Sequence, residues 1–201
     1  MKRVGHQEIH GENIAQFEFS QAGWNPFKHY VDVDQVDLLL RRRTPPNPPE
    51  YREVQVKWCR SWKISGWRGI FFTHVSWRNF TTEDFAFHRP ELFIAFVKPN
   101  AEQIYTGDIF IFRSSDFHEL ILRCPAFKKG TNRKYFELGQ HHDGRWFLLL
   151  KRKTSKYLDD DTGVEITSAW RNFDLLDAPL PKPPAGELRV KQAEKLLKAK
   201  I

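Results

Sequence analysis

The chain has 201 residues, 40% of them hydrophobic, with seven Trp and seventeen Phe, enough apolar material for one well-packed domain with a short appendage and too much for a disordered or collagen-like chain. A formal charge of +7 and a pI near 9.4 favour a polyanionic partner such as nucleic acid over an acidic small molecule. Cys59 and Cys124 lack paired spacing, which excludes a zinc knuckle or a disulfide framework, and neither a signal-peptide core nor a bilayer-length apolar run is present, so a soluble, reduced, cytoplasmic protein with no membrane contact is expected.

The first element predicted is a helix over residues 7–22, where Ile9, Ile14, Ala15, Phe17 and Phe19 approximate an apolar stripe and Gly23 marks the stop. A β-prone run around Val36 to Leu40 then rises to the basic triplet Arg41, Arg42 and Arg43. The stretch TPPNPPE (44–50) cannot enter a central ladder, because proline has no N–H to donate, and reads as a connector. It leads into YREVQVKW (51–58), expected to pair antiparallel with the preceding strand. Further strands are predicted in GIFFTHVSW, LFIAFVKP, DIFIFRSS and RWFLLLKRK, and a short helix in SDFHELIL capped by Ser114 or Ser115. PLPKPP is a stiff linker to a lysine-rich terminal helix, so the expected division is a domain over 1–178, a linker over 179–186 and a basic helix over 187–201, a surface for a protein partner. That tail region carries +4 of the +7, so a basic patch on the body needs local clusters such as Arg41 to Arg43 or FKKGTNRK (127–134).

Several polar groupings read as ordinary structure. In HHDG (141–144) adjacent strand residues point to opposite faces, so a hairpin turn is favoured over a metal site. DDDTG (159–163) reads as an exposed turn, and His6 and His10 as a solvated helix face. Trp58, Trp62 and Trp67, interleaved with Arg60, Lys63 and Arg68, read mainly as core rings, with base stacking open to one of them.

One constellation does not read that way. In YREVQVKW, Glu53, Gln55 and Lys57 line one face of an extended strand while Val54 and Val56 line the other. Eighteen residues before Gln55, Asp37 interrupts the apolar run QVDLLL, which is costly in a buried strand unless a ligand, a cation or solvent meets it.

Taken in order, Gly11-Glu12 in the first helix, Ala22 to Trp24 at its end, DQVDLLL holding Asp37, and VQVKW holding Gln55 and Lys57 resemble the motif series of the PD-(D/E)XK nuclease superfamily of restriction-enzyme-like and Holliday-resolvase-like domains. The resemblance covers roughly residues 5–63. It implies an α/β (α+β) fold with three layers, α/β/α, around a mixed sheet, and a Mg²⁺-dependent endodeoxyribonuclease in which Mn²⁺ substitutes, set in prokaryotic defence or DNA processing. By that resemblance Asp37, Gln55, the Val56 carbonyl and Glu12 hold or orient the metal, and Lys57 faces the charge developing on the phosphate. Gln55 stands where the family's residue is usually acidic, and Glu53, two positions earlier on that face, is a candidate to compensate. Arg41, Arg42, Arg43 and Lys63 are candidates for contact with DNA. A homodimer would supply two sites for two strands. The other reading is a catalytically silent subunit that keeps the fold and binds nucleic acid.

Overall fold

The structure is a computed structural model that describes residues 4–28, 36–64, 69–81, 89, 91–127, 130–150 and 163–180. The expected terminal helix (187–201), Trp67, Arg68 and most of DDDTG lie outside them.

The first helix, α1 (Val4–Gln21), ends as its sequence requires: Gly23 takes φ +82°, a left-handed turn that costs a glycine little, and its N–H reaches the Ser20 carbonyl at 3.1 Å while that of Trp24 reaches Phe19 at 3.0 Å. Strands β1 (Asn25–Lys28), β2 (Leu38–Arg42), β3 (Glu50–Trp58), β6 (Leu92–Pro99) and β7 (Tyr105–Arg113) form a mixed sheet in the order β1-β2-β3-β6-β7. β2 and β3 are antiparallel, as the proline connector between them predicts, and β3 and β6 are parallel. The connection from β3 to β6 carries β4 (Arg60–Lys63) and β5 (Phe72–Thr81) into a second sheet. With β8 (Arg133–His141), β9 (Trp146–Leu149) and β10 (Gly163–Glu165) they form an antiparallel sheet ordered β10-β9-β8-β5-β4.

The fold is therefore α+β with a mixed sheet at its centre. One face of that sheet, through Leu38, Leu40, Val54, Val56, Ala95 and Val97, packs on Ala15 and Phe19 of α1. The other, through Ile94, Phe96, Phe110 and Phe112, packs on the second helix α2 (Ser114–Arg123) and on Phe80, Phe136, Leu138 and Trp146 of the second sheet. The third layer joins the helix α2 to the five strands of the second sheet. β6 is buried at all eight positions because both of its faces are covered, which explains a continuous apolar run in place of alternation. Edge-to-face rings in the layer packed on it, such as Phe80 of β5 on Phe136 of β8 at 5.7 Å and 87°, add ring electrostatics to the area buried.

Two local expectations are settled by the backbone. α2 starts without the serine cap expected: Arg113 occupies the N-cap position and makes no side-chain bond there, Ser114 is already buried inside the helix, and the Ser115 hydroxyl lies 3.0 Å from Asp116 Oδ1. HHDG does turn a hairpin between β8 and β9, closed by the Gly144 N–H on the His141 carbonyl at 2.9 Å. The second sheet also explains Gly139: a β-carbon there would sit 2.7 Å from the buried Phe72 ring. Gly139→Ala is expected to cost about 1–3 kcal/mol by overpacking, read as a lowered urea midpoint with an unchanged slope.

Candidate active site where two strands part

β2 and β3 pair from Arg42 opposite Glu50 to Leu38 opposite Val54, and there β2 leaves the ladder. Asp37, the residue at that point, donates its N–H to the Val54 carbonyl at 3.0 Å and accepts the Val56 N–H on Oδ2 at 2.6 Å. A carboxylate thus takes the ladder place of a backbone carbonyl, with a charge-assisted bond that fixes its orientation. Alternate strand residues present their backbone groups to the same edge, so the Val56 carbonyl looks toward the side from which Asp37 approaches. Further along that edge, the Trp58 carbonyl accepts from Arg78 Nη1 at 2.7 Å.

The polar side of β3 lies where the sequence places it. Glu53, Gln55 and Lys57 pair in parallel register with Leu92, Ile94 and Phe96, opposite the α1-packed face of Val54, Val56 and Trp58. This face is not simply solvated. Glu53 is ion-paired to Arg89, Gln55 is only 4% exposed, and Lys57 is half-buried. The Glu53–Arg89 pair ties up the carboxylate that would have compensated for the neutral Gln55.

Glu12 reaches the same end of the sheet from α1. Its carboxylate meets Lys28 Nζ at 2.7 Å, and Lys28 pairs with Leu38, the neighbour of Asp37. Gly11 makes this approach close, since a β-carbon there would lie 3.2 Å from that of Trp58. The ion pair with Lys28 neutralises Glu12, and among the described residues no group of three or more His, Cys, Asp and Glu gathers to hold a metal. At the strand edge the carboxylate is therefore Asp37, with the Val56 carbonyl on the same edge, while Gln55 presents its amide from the face of β3 turned away from α1. Magnesium keeps several waters and takes only one or two carboxylates, so these hard oxygens fit Mg²⁺ or Mn²⁺ chemically.

The basic residues distribute differently from the sequence expectation. Arg41 and Arg42 close the far end of β2, with Arg43 just beyond it, and Arg42 is five extended residues, about 16 Å, from Asp37. Arg42 binds Asp177 at 2.6 Å and Glu50 at 3.5 Å and covers the Trp24 ring at 4.3 Å. It therefore anchors Asp177, at the end of the 3-10 turn Phe173–Leu176, onto the sheet. Lys63, exposed, meets Glu102 at 3.0 Å. The guanidiniums beyond the Lys57 end of β3 are instead those of Arg60 and Arg78, which with Gln7, Glu8, Trp58, Trp77 and Asn79 line a cavity of about 260 Å³. Arg60 is visible in the tryptophan-rich stretch, but Arg78 comes from β5, whose return to this point depends on the second sheet. A cavity of about 380 Å³ between α2 and β10 carries Asp116, Glu119 and Glu165 against Arg123, the wrong balance for a phosphate.

Other reactive side chains are structural. Burial pushes the thiols of Cys59 and Cys124 up to about 12, which leaves them inert as nucleophiles. Hydrogen bonds from Arg145 hold Asp143 well below the usual carboxylate range, with His141 as a further partner, so this trio braces the hairpin.

No protein-family model matches the chain, and no curated protein matches its sequence. Among solved structures it is similar to the bacterial homing endonuclease I-Ssp6803I, at 15% identity and a TM-score of 0.42 over 87% of this chain and 93% of that one. No helix among the described residues is long and apolar enough to cross a membrane.

Proposed function

We propose that the chain is a Mg²⁺-dependent nuclease that hydrolyses phosphodiester bonds in DNA, with its site at the edge where β2 and β3 part. The observation that carries this reading is the Asp37 carboxylate bound to the Val56 N–H at 2.6 Å, one residue from Lys57. The bond gives Asp37 a structural role as the acceptor for the Val56 N–H, and the same bond holds a carboxylate at the edge of the strand that carries Lys57, the pair of charges a metal-dependent phosphoryl site uses.

When bound, the metal polarises the phosphoryl oxygen and makes a coordinated water more acidic. Asp37 supplies the negative charge that binds it, and the Val56 N–H keeps that carboxylate from rotating away. The Val56 carbonyl and Gln55 Oε1 offer neutral oxygens, while Glu12, held by Lys28, orients a water. Lys57 places its ammonium against the negative charge that grows on the phosphate. The charge of the chain favours DNA as partner, with Arg41, Arg43 and Lys63 as peripheral phosphate contacts. We place the activity in the cytoplasm, in prokaryotic defence or DNA processing, with a homodimer where both strands are cut and the residues 187–201 as a contact for a protein partner.

One observation favours the rival reading of a silent DNA-binding subunit: the Glu12–Lys28 ion pair withdraws a second carboxylate from the site. Lys57→Ala separates the two. With labelled linear DNA in Mg²⁺, this change is expected to lower the single-turnover cleavage rate about 100-fold or more while DNA affinity changes less than about threefold. Equal rates for wild type and variant would remove Lys57 from the chemistry.

A further inference from the structure

We propose that the cavity between α2 and β10 is the docking site of the chain's own C-terminal segment, residues 187–201, which lays apolar side chains on its floor and cations against its rim. The proposal goes beyond the nuclease reading and does not depend on it.

The floor is apolar and the rim acidic. Leu120, Val164 and Leu175 line the cavity and are only half-buried, although each packs on the core from its inner side. Apolar surface left open in this way gains by being covered. Around it Asp116, Glu119 and Glu165 are exposed, set against Arg123. Glu165 meets Arg145 at 3.5 Å, whereas among the described residues Asp116 and Glu119 make no ion pair. At about 380 Å³ the cavity admits a few aliphatic side chains and not a whole helix, so its occupant is a segment that lies across the mouth.

The sequence of residues 187–201 has the matching chemistry. It carries five Lys/Arg against two Glu, and Val190, Ala193, Leu197 and Ile201 recur at intervals of three and four, one stripe of the helix that the sequence predicts. Arg189 and Lys200 flank that stripe on one side, Lys191 and Lys198 on the other. An apolar stripe between two rows of cations is the complement of an apolar floor inside an acidic rim.

The cavity is also within reach. The last described residue is Leu180, and the carbonyl of Pro179 just before it accepts from Arg113 Nη2 at 3.2 Å. In the chain Arg113 stands between Phe112 and Asp116, both of which line the cavity. Residues 181–186 span about 20 Å at most, more than the length of the ten-residue α2, about 15 Å. So short a tether presents the segment at a millimolar effective concentration, which favours the chain's own tail over a free polycation. A protein partner that takes residues 187–201 then competes with the cavity for them.

The test is limited trypsin digestion of the full chain at low micromolar concentration, with mass spectrometry following the cut after Lys191. Asp116→Asn with Glu119→Gln, two exposed changes that leave the core untouched, is expected to speed that cut at least about fivefold. Leu197→Ser, which removes the centre of the apolar stripe and lies outside the described body, is expected to do the same. Zero-length carbodiimide coupling of the wild type gives the second readout: links from Lys191, Lys195, Lys198 or Lys200 to Asp116, Glu119 or Glu165 are expected within the monomer band. Equal cleavage of the tail in wild type and both variants, no links, or links scattered over other carboxylates would each overturn the proposal. So would links confined to a dimer band, which would assign the cavity to the tail of a second copy.

Discussion

Lys98→Ala is expected to lower the unfolding free energy by about 3–5 kcal/mol, the cost of breaking a buried ion pair from one side. Lys98 is fully buried in β6, with Nζ 3.2 Å from Asp108 Oδ2, 3.2 Å from the Pro99 carbonyl and 4.8 Å from the Trp146 ring centre. Alanine would leave Asp108 with the Trp170 indole N–H, at 3.1 Å, but without its cation, and would open a void beside Trp146. Lys98→Met keeps most of the stem volume and is expected to lose less. Burial lowers the Lys98 pKa, with Asp108 opposing the shift. Between that lowered folded value and the ordinary 10.5, the unfolded chain holds a proton that the folded chain has shed, so stability rises with pH across the window. Urea unfolding at pH 7 and near 10 should therefore show wild type gaining on Lys98→Met as the pH rises. A constant difference between them would mean that Lys98 titrates as it does in water.

The second large effect is expected at Asp37, where the fold and the chemistry ask different things of one side chain. The fold needs an acceptor for the Val56 N–H, and asparagine keeps a carbonyl oxygen to provide it. The chemistry needs the negative charge. Asp37→Asn is accordingly expected to lower cleavage by about 100- to 1000-fold, with a loss of about 1 kcal/mol or less in stability. Asp37→Ala removes both, and leaving the Val56 N–H without its acceptor is expected to cost a further ~1–3 kcal/mol. Thermal melts of the two variants beside their cleavage rates give the separation. If the asparagine variant cleaved as fast as wild type, Asp37 would be no more than a strand-edge cap.

The sequence exposed the parts of this site that depend on local period. Alternation of two placed Glu53, Gln55 and Lys57 on one face of β3, and the cost of an acid within QVDLLL singled out Asp37. The features it did not show depend on pairing between residues far apart in the chain. β1 contains Pro26 and reads poorly as a strand, yet at the edge of the sheet no inner ladder needs its missing N–H. β8, RKYFELGQH, begins inside the basic stretch FKKGTNRK (127–134), yet its Phe136 and Leu138 complete the core against β5. Without that second sheet, neither Arg78 nor the cavity beside Trp58 was visible. Charge alone made Arg42 a candidate for DNA, because nothing local to RRR announces Asp177 across the fold.

The most direct measurement is a time course of purified protein on supercoiled circular DNA, with Mg²⁺, with Mn²⁺ and with EDTA, run beside Asp37→Asn. A nuclease working from the parting of β2 and β3 nicks or linearises the DNA with either metal, stops in EDTA, and is all but inactive in the variant. Intact DNA in every lane, with salt-dependent binding preserved, or cleavage indifferent to both the metal and Asp37, would contradict it.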